Sequence, residues 1–432
     1  MRRRRTNTYA DDPPSDGEDA DAPASPVERR PRSAKQPPRP SACQRVCSWL
    51  PSLVLLFLVL FLVLCMALVG GPRELYECCE PMWQPELPQL EQALPWPEQE
   101  LALAGKVALV TGANRGYGYG VATHMAEQGA RVLMACRTAD TGAADNLTAA
   151  LLRDHGPSHP GSVEMLHLDL TDLPSVALFA ASSGLPALDI VILNAAVVDD
   201  RSAPYKLTAS SGTTLNRMYT VNYLANVVLI QELIRHGKLP LRSRDAHPPD
   251  PEQKEQGSEW VQYRSPYPRV VIVSSGAYAQ GATKWFGAEG AHNWVPIAAL
   301  RNYGQTKFLQ TVWALDLQHV MAGRMDIVLH NPGPVHTDLG SEHVPLLLWG
   351  AYTLMKWLLF VEPYEASAPI RWLVSAQAPP ATYLHIRERV FRHDMAGGVL
   401  DPKIREWVRQ NTAEVLSSVD VSVVPLEDLA PS

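Results

Sequence analysis

The sequence predicts an α/β domain built on one doubly wound, mostly parallel sheet. Two observations carry that expectation. Short apolar runs rich in β-branched residues recur along the second half of the chain, and each is followed by a helix-like stretch. The runs are also continuously apolar rather than alternating, as strands are when helices cover both faces of their sheet.

In order, KVALVTG is the first strand and GVATHMAEQGA the helix after it; RVLMACR is the second strand, DNLTAALLRDHG the next helix, and VEMLHLDL the third strand. LPSVALFAAS is helical, LDIVILNAA the fourth strand, and SGTTLNRMYTVNYLANVVLIQELI one long helix. RVVIVSS is a fifth strand, Asn302 to Gln318 lie on a helix, MDIVLHNPG is a sixth strand, and ATYLHI is a candidate seventh. The polar stretch from 240 to 268 reads as a solvent loop.

Ahead of this domain the texture differs. Residues 1–48 are rich in Pro, Ser, Ala and charge, with Arg2 to Arg5 at the start and acidic residues between Asp11 and Asp21. So few apolar residues predict a disordered tail. Its basic runs fit a nuclear-localisation or anionic-lipid signal and equally a solvated tail. Within residues 49–70, Leu50 to Val69 carry no charge over twenty residues, the length that crosses a bilayer as a helix. A Pro-, Glu- and Gln-rich linker occupies 71–100, the predicted domain 101–400, and a C-terminal extension 401–432.

Arg30, Arg32, Lys35, Arg39 and Arg45 precede the apolar span, whereas Arg73 among several glutamates follows it. That asymmetry predicts a cytosolic N-terminus and a lumenal catalytic domain at an endomembrane such as the endoplasmic reticulum. The net charge of −7 gives no reason to expect nucleic-acid binding. Of six cysteines, all but Cys136 sit in or beside the apolar span, so no disulfide framework and no metal site is expected.

Three constellations carry chemistry. Thr111, Gly112, Ala113, Asn114, Arg115, Gly116, Tyr117 and Gly118 link a predicted strand to a predicted helix. Glycines there permit a tight turn and close approach of the backbone to a pyrophosphate, which the helix N-terminus attracts. This makes the sheet a Rossmann-type dinucleotide-binding one. Where an acidic residue would hold a ribose hydroxyl, the second strand ends in Arg137, and with Arg115 this favours NADP over NAD, unless Arg137 is only the solvated end of a strand. Asp169, with Leu170, is placed at the adenine side, and Asn194 and Ala195 end the fourth strand beside the cleft.

Tyr303 and Lys307, four residues apart on a predicted helix, share one face. An ammonium beside a phenol lowers the phenol pKa and suits it to exchange a proton with a substrate oxygen. Ser275, rather than Ser274, is placed to orient that oxygen, and Asn222 is an unfavourable residue in a helix, either a support for a proton relay or a buried hydrogen-bonded Asn.

Together these residues resemble the classical short-chain dehydrogenase/reductase family over about residues 100 to 390. The resemblance implies a catalytic tetrad of Asn222, Ser275, Tyr303 and Lys307, and a segment containing Pro332, Gly333, Val335 and Thr337 that closes over the cofactor. ACR, VNYLANVVL, YGQTK and EPYEASAPIRWLVSA are similar to the retinol dehydrogenase and WW-domain oxidoreductase branch. That branch implies an NADP-linked alcohol or carbonyl substrate of lipophilic character, a membrane location and possible homodimers. Departures are Tyr117 in place of the usual Ile and LNAA in place of Asn-Asn-Ala-Gly. Val344 to Val361 is apolar apart from Lys356; it reads as a substrate-side segment dipping into the bilayer or as a second span. The competing function is a membrane-anchored NADP-binding scaffold or sensor without turnover.

Overall fold

The computed structural model describes residues 103–138, 141–198, 205–206, 214–242, 268–280, 299–341, 344, 346, 349–374, 382–386, 389–392, 397–419, 421, 424 and 428. The tail, the apolar span at 49–70, the linker and most of the 240–268 insertion lie outside the described residues. Among the described residues no helix is long and apolar enough to cross a membrane.

The strands are β1 (Val107–Thr111), β2 (Arg131–Cys136), β3 (Ser162–His167), β4 (Ile190–Leu193), β5 (Tyr205–Lys206), β6 (Thr214–Leu215), β7 (Arg269–Val273), β8 (Asp326–Asn331), β9 (Thr382–Ile386) and β10 (Arg389–Arg392). The helices are α1 (Gly116–Glu127), α2 (Gly142–His155), α3 (Leu173–Ala181), α4 (Ala225–Arg235), α5 (Ala299–Val320), α6 (Trp349–Leu359), α7 (Pro363–Ser367), α8 (Ile370–Leu373) and α9 (Pro402–Ser417).

The main sheet has eight strands in the order β10-β9-β8-β7-β4-β1-β2-β3, parallel except for β10, which pairs antiparallel with β9. The candidate seventh strand is thus β9, and β10 is an edge strand the sequence reading does not contain. Chain order reverses between β1 and β4, so the loops leaving those two strands diverge and open a crevice at the carboxyl edge.

Burial explains the strand texture. β1, β4 and β7 at the centre are almost wholly buried, whereas the edge strand β3 is half-exposed along its length. One face of the sheet packs with residues of α3, α4, α5 and α9, including Val176, Leu229, Val312 and Leu416. The other packs with α1, α2 and α8, including Val121, Leu147 and Ile370. The segment after residue 400, separate in the sequence reading, therefore shares the core: Val408, Val415 and Leu416 of α9 are buried. Asp316 of α5 receives both a 2.5 Å and a 2.6 Å bond from Arg409.

The long helix expected from residue 211 divides instead. Thr214 and Leu215 form β6, paired with β5, and helical structure begins only after Asn216, whose side-chain oxygen accepts from the amides of Met218 and Tyr219. That short side chain caps the helix and ends the extended segment. Residues Thr220–Leu224 then form a π-helical turn before α4, a local widening that recurs at functional sites. The second-span reading of 344–361 is corrected too: α6 has eleven residues, well short of the roughly 20 a span needs.

At the opposite edge from the crevice, Arg269 and Asp326 stand side by side at the starts of β7 and β8, 2.8 Å apart and each about 3% exposed. Arg269 also donates to the carbonyl of Leu373. Removing one member of such a pair strands the other charge in the core. Asp326→Ala is expected to lose about 3–5 kcal/mol of folding stability, read as a lowered urea midpoint; a loss under about 1 kcal/mol would mean that the pair is hydrated.

Candidate active site

The crevice begins where β1 and β4 end. Thr111 Oγ1 accepts from the amides of Asn194 (3.0 Å) and Ala195 (3.1 Å) and donates to the Ile192 carbonyl. Asn194 Nδ2 in turn donates to the carbonyls of Thr111 (2.9 Å) and Gly112 (3.2 Å). Thr111, Gly112, Asn194 and Ala195 are thereby one structural unit.

Two glycines of the loop have reasons visible in its geometry. A Cβ on Gly118 would lie 2.3 Å from the Gly112 carbonyl oxygen and 2.4 Å from Asn194 Nδ2, so no other residue fits. Gly116 has φ +56°, and a Cβ there would meet Thr337 Cγ2 at 3.1 Å. Thr337 of the proline-glycine segment therefore already sits over the loop. Along the rim, Asn114 Nδ2 donates to Thr138 Oγ1, while Arg115 and Arg137 are exposed at the ends of β1 and β2. Asp169 accepts from both the amide and the hydroxyl of Thr171, which commits one carboxylate oxygen to its own turn, and Leu170 beside it is buried.

Tyr117, the departure in the loop, is a core residue. It is buried, its ring centroid is 6.1 Å from that of His330, and its hydroxyl has no hydrogen-bond partner among the described residues. It points into the sheet rather than toward the rim, so its direct role is packing.

At the carboxyl ends of β4 and β7 the four tetrad positions converge. Asn222, inside the π-helical turn and fully buried, accepts from the Val197 amide (2.8 Å) and donates to the Val197 carbonyl (2.9 Å) and Thr306 Oγ1 (3.1 Å). Thr306 in turn donates to the carbonyl of Tyr303. Ser275, half-buried, hydrogen-bonds Tyr303, whereas Ser274 faces away and contacts Thr311 Oγ1 at 3.1 Å. Tyr303 and Lys307 are both buried.

The relation between Tyr303 and Lys307 differs from the expected one. Lys307 Nζ lies 5.7 Å from the Tyr303 ring centroid and donates to the Val273 carbonyl (2.8 Å) and Gln310 Oε1 (2.9 Å). Burial pushes the Tyr303 phenol up to about 12, only partly offset by the bond with Ser275. Burial also brings the Lys307 ammonium down to about 7. Dehydration of each group, rather than attraction between them, dominates both.

Beyond the tetrad, Pro332 and Gly333 follow β8, and Gly333 donates its amide to Asn331 Oδ1. Val335 bridges to Val361, and His336 hydrogen-bonds Glu362 at 2.8 Å. Lys356, which entered the sequence reading only as a charge in an apolar run, is buried and donates to the carbonyl of Thr337 at 2.7 Å. Its signal was that misplaced charge. Thr306, Gln310 and Asn226 had none, since uncharged polar residues in a long helix usually face solvent.

The comparisons with known proteins agree with this architecture. Residues 106–242 match the family model described as short chain dehydrogenase. The chain is 30% identical over 283 residues to mouse (Mus musculus) polyprenol dehydrogenase, covering 64% of this chain and 72% of that protein. It is 27% identical over 288 residues to human (Homo sapiens) retinol dehydrogenase 14, covering 63% and 74%. It is 29% identical over 272 residues to bovine (Bos taurus) dehydrogenase/reductase SDR family member 13, covering 61% of this chain and only 60% of that relative. The chain belongs to the short-chain dehydrogenase family, on its retinol dehydrogenase-like branch.

The lowered Lys307 value has a consequence for stability. Between pH about 7 and the unfolded value of 10.5, the unfolded chain binds a proton that the folded chain does not. Stability from this group therefore rises with pH across that window. The melting temperature of the wild type relative to Lys307→Met is expected to climb from pH 7 to pH ~10; a difference independent of pH would mean that Lys307 is charged in the folded state.

Proposed function

We propose that this chain is an NADP(H)-dependent oxidoreductase that interconverts an alcohol and a carbonyl on a lipophilic substrate. The observation that carries the reading is the convergence of Tyr303, Ser275, Lys307 and Asn222 at the carboxyl edge, next to a loop that admits nothing larger than glycine at position 118.

The residues present fit a dinucleotide. The Gly116–Gly118 turn opens α1, whose free N–H groups suit a pyrophosphate. Arg115 and Arg137, both exposed at the rim, suit a 2′-phosphate, and no acidic residue ends β2 to hold a ribose hydroxyl instead. Thr111, Asn194 and Ala195 shape the floor, and Pro332, Gly333, Val335 and Thr337 form the cover. When bound, the nicotinamide supplies or accepts the hydride.

In the direction of reduction, the Tyr303 hydroxyl gives its proton to the substrate oxygen, which Ser275 orients through its own hydroxyl. A phenol held near 12 is fully protonated at neutral pH and so is ready as the acid. In its protonated form Lys307 supplies a positive charge near the phenolate that remains, and Asn222 holds the strand and helix ends around it.

The lipophilic substrate class is supported by the surface beyond Thr337. Leu346 is 90% exposed and Trp357 74%, with Trp349 and Leu354 also open to solvent. Exposed Trp and Leu on a short helix fit a membrane interface. The named activities of the relatives, retinol and polyprenol dehydrogenases, point the same way. Together with the predicted apolar span, they favour a bilayer location.

The test follows NADPH oxidation by the full chain in detergent with retinal, a polyprenal, steroid ketones and simple aldehydes. Tyr303→Phe is expected to reduce kcat/KM by about 10²–10⁴-fold. Arg137→Ala is expected to raise KM for NADPH by about 10-fold with little effect on NADH. NADPH binding without turnover on any member of the panel would make the chain a cofactor-holding scaffold instead.

A further inference from the structure

Lys307 is held by groups the tetrad does not contain. Its Nζ, on a side chain 2% exposed, donates to the Val273 carbonyl and to Gln310 Oε1. Gln310 is itself fully buried, one turn beyond Lys307 on α5, and its Nε2 has no hydrogen-bond partner among the described residues. Burying an amide without its full set of hydrogen bonds is unfavourable, so a leucine would serve the core better. The residue makes one hydrogen bond in return, and that bond goes to Lys307. Asn226 repeats the pattern on the facing helix. It lies one turn beyond Asn222, donates to the Asn222 backbone carbonyl at 2.9 Å, and leaves its buried Oδ1 without a partner among the described residues. Asn222 and Lys307 are thus each contacted by a buried amide one turn further along, which leaves one of its own polar atoms unpaired among the described residues.

We propose that Gln310 is a positioning residue that holds the Lys307 amine at the end of β7 and sets how readily it keeps its proton. The proposal rests on the oxidoreductase reading only for its catalytic consequence.

The surroundings leave Gln310 this influence. On the lysine's own helix the titratable neighbour is Tyr303, neutral at working pH. β7 presents the Val273 carbonyl and the hydroxyls of Ser274 and Ser275, and the π-helical turn and α4 present the neutral amides of Asn222 and Asn226. His330 on β8 points to the opposite face of the sheet, against Tyr117. Among the described residues no other charged group contributes to the Lys307 shift, whose cause is burial. An acceptor oxygen in direct contact is then the strongest local stabiliser of the ammonium. Replacing it with a methyl group disfavours the proton, and replacing it with a carboxylate favours it.

The experiment labels lysine Cε with carbon-13 in the full chain and follows the Lys307 signal, assigned by its loss in Lys307→Arg, through a pH titration. Gln310→Leu and Gln310→Met are expected to lower the midpoint and Gln310→Glu to raise it, each by about one pH unit. The basic limb of kcat/KM is expected to move in the same two directions. A merely structural role predicts equal, unsigned effects. Midpoints that stay within about 0.3 of the wild type, or move the same way for leucine and glutamate, would overturn the proposal; should Gln310→Glu not fold, an unmoved midpoint in both Leu and Met variants does so alone. Opposed midpoints in a chain that turns over nothing would uphold Gln310 and sink the oxidoreductase reading instead.

Discussion

The clasp between Thr111 and Asn194 is the constraint on which the rest of the site hangs. β1 and β4 are adjacent at the centre of the sheet although two βα units separate them in sequence. A parallel sheet covered on both faces leaves its polar chemistry only at the strand ends. Because the Asn194 amide spans the carbonyls of Thr111 and Gly112, the glycine loop cannot drift from the end of β4. The same amide fills the space a side chain at position 118 would need. One hydrogen-bonding side chain thus fixes both the shape of the loop and the identity of a residue in it, and the crevice between diverging loops follows.

Two of the buried basic side chains, Arg269 and Lys307, stand at opposite edges of the sheet and are treated in opposite ways. Arg269 at the amino edge is matched by Asp326 in register. A guanidinium cannot shed its proton, so only a fixed counter-charge makes its burial tolerable. Lys307 at the carboxyl edge receives neutral acceptors alone. An amine can shed its proton, and dehydration brings it to a value where it does so near neutrality. The first arrangement stabilises and has one state. The second is costly and has two, which is the property proton-handling sites require. The difference between the two edges lies in whether a carboxylate is supplied.

Much of this was legible in sequence because it rests on period and punctuation. Continuous apolar runs gave the central strands, and glycines between KVALVT and the next helix gave the turn. The half-exposed edge strand β3 was found by the same pattern, though its burial alternates. What the sequence does not show is which partner a side chain or a strand edge takes, even where that partner is only a few residues away. Asn216 ends an extended segment by capping its successor, a choice invisible to a helical period that runs straight through it. β10 exists because β9 offers it an edge. Tyr303 and Lys307 pair in the sequence by their spacing and by their order after the glycine loop, the Asn-ended strand and the Ser-ended strand, and neither says which partner each side chain takes. Gln310, three residues on, competes for the ammonium and holds it.

The apolar helix α6 and the glycine loop are joined by an explicit route. Lys356, the single charge of that helix, turns inward and holds the Thr337 carbonyl, and the Thr337 methyl lies against the position a Gly116 side chain would occupy. The backbone beside it is pinned as well, because the His336 amide donates to the Val361 carbonyl and its ring hydrogen-bonds Glu362. A helix whose outer face carries Trp349, Leu354 and Trp357 is therefore mechanically continuous with the segment that lies over the glycine loop. Lys356 gains its hydrogen bond only when α6 lies against the 334–338 segment, so the geometry that exposes the apolar face is the same geometry that seats Thr337 over the loop. Lys356 thus links the outer helix to the segment that lies over the glycine loop.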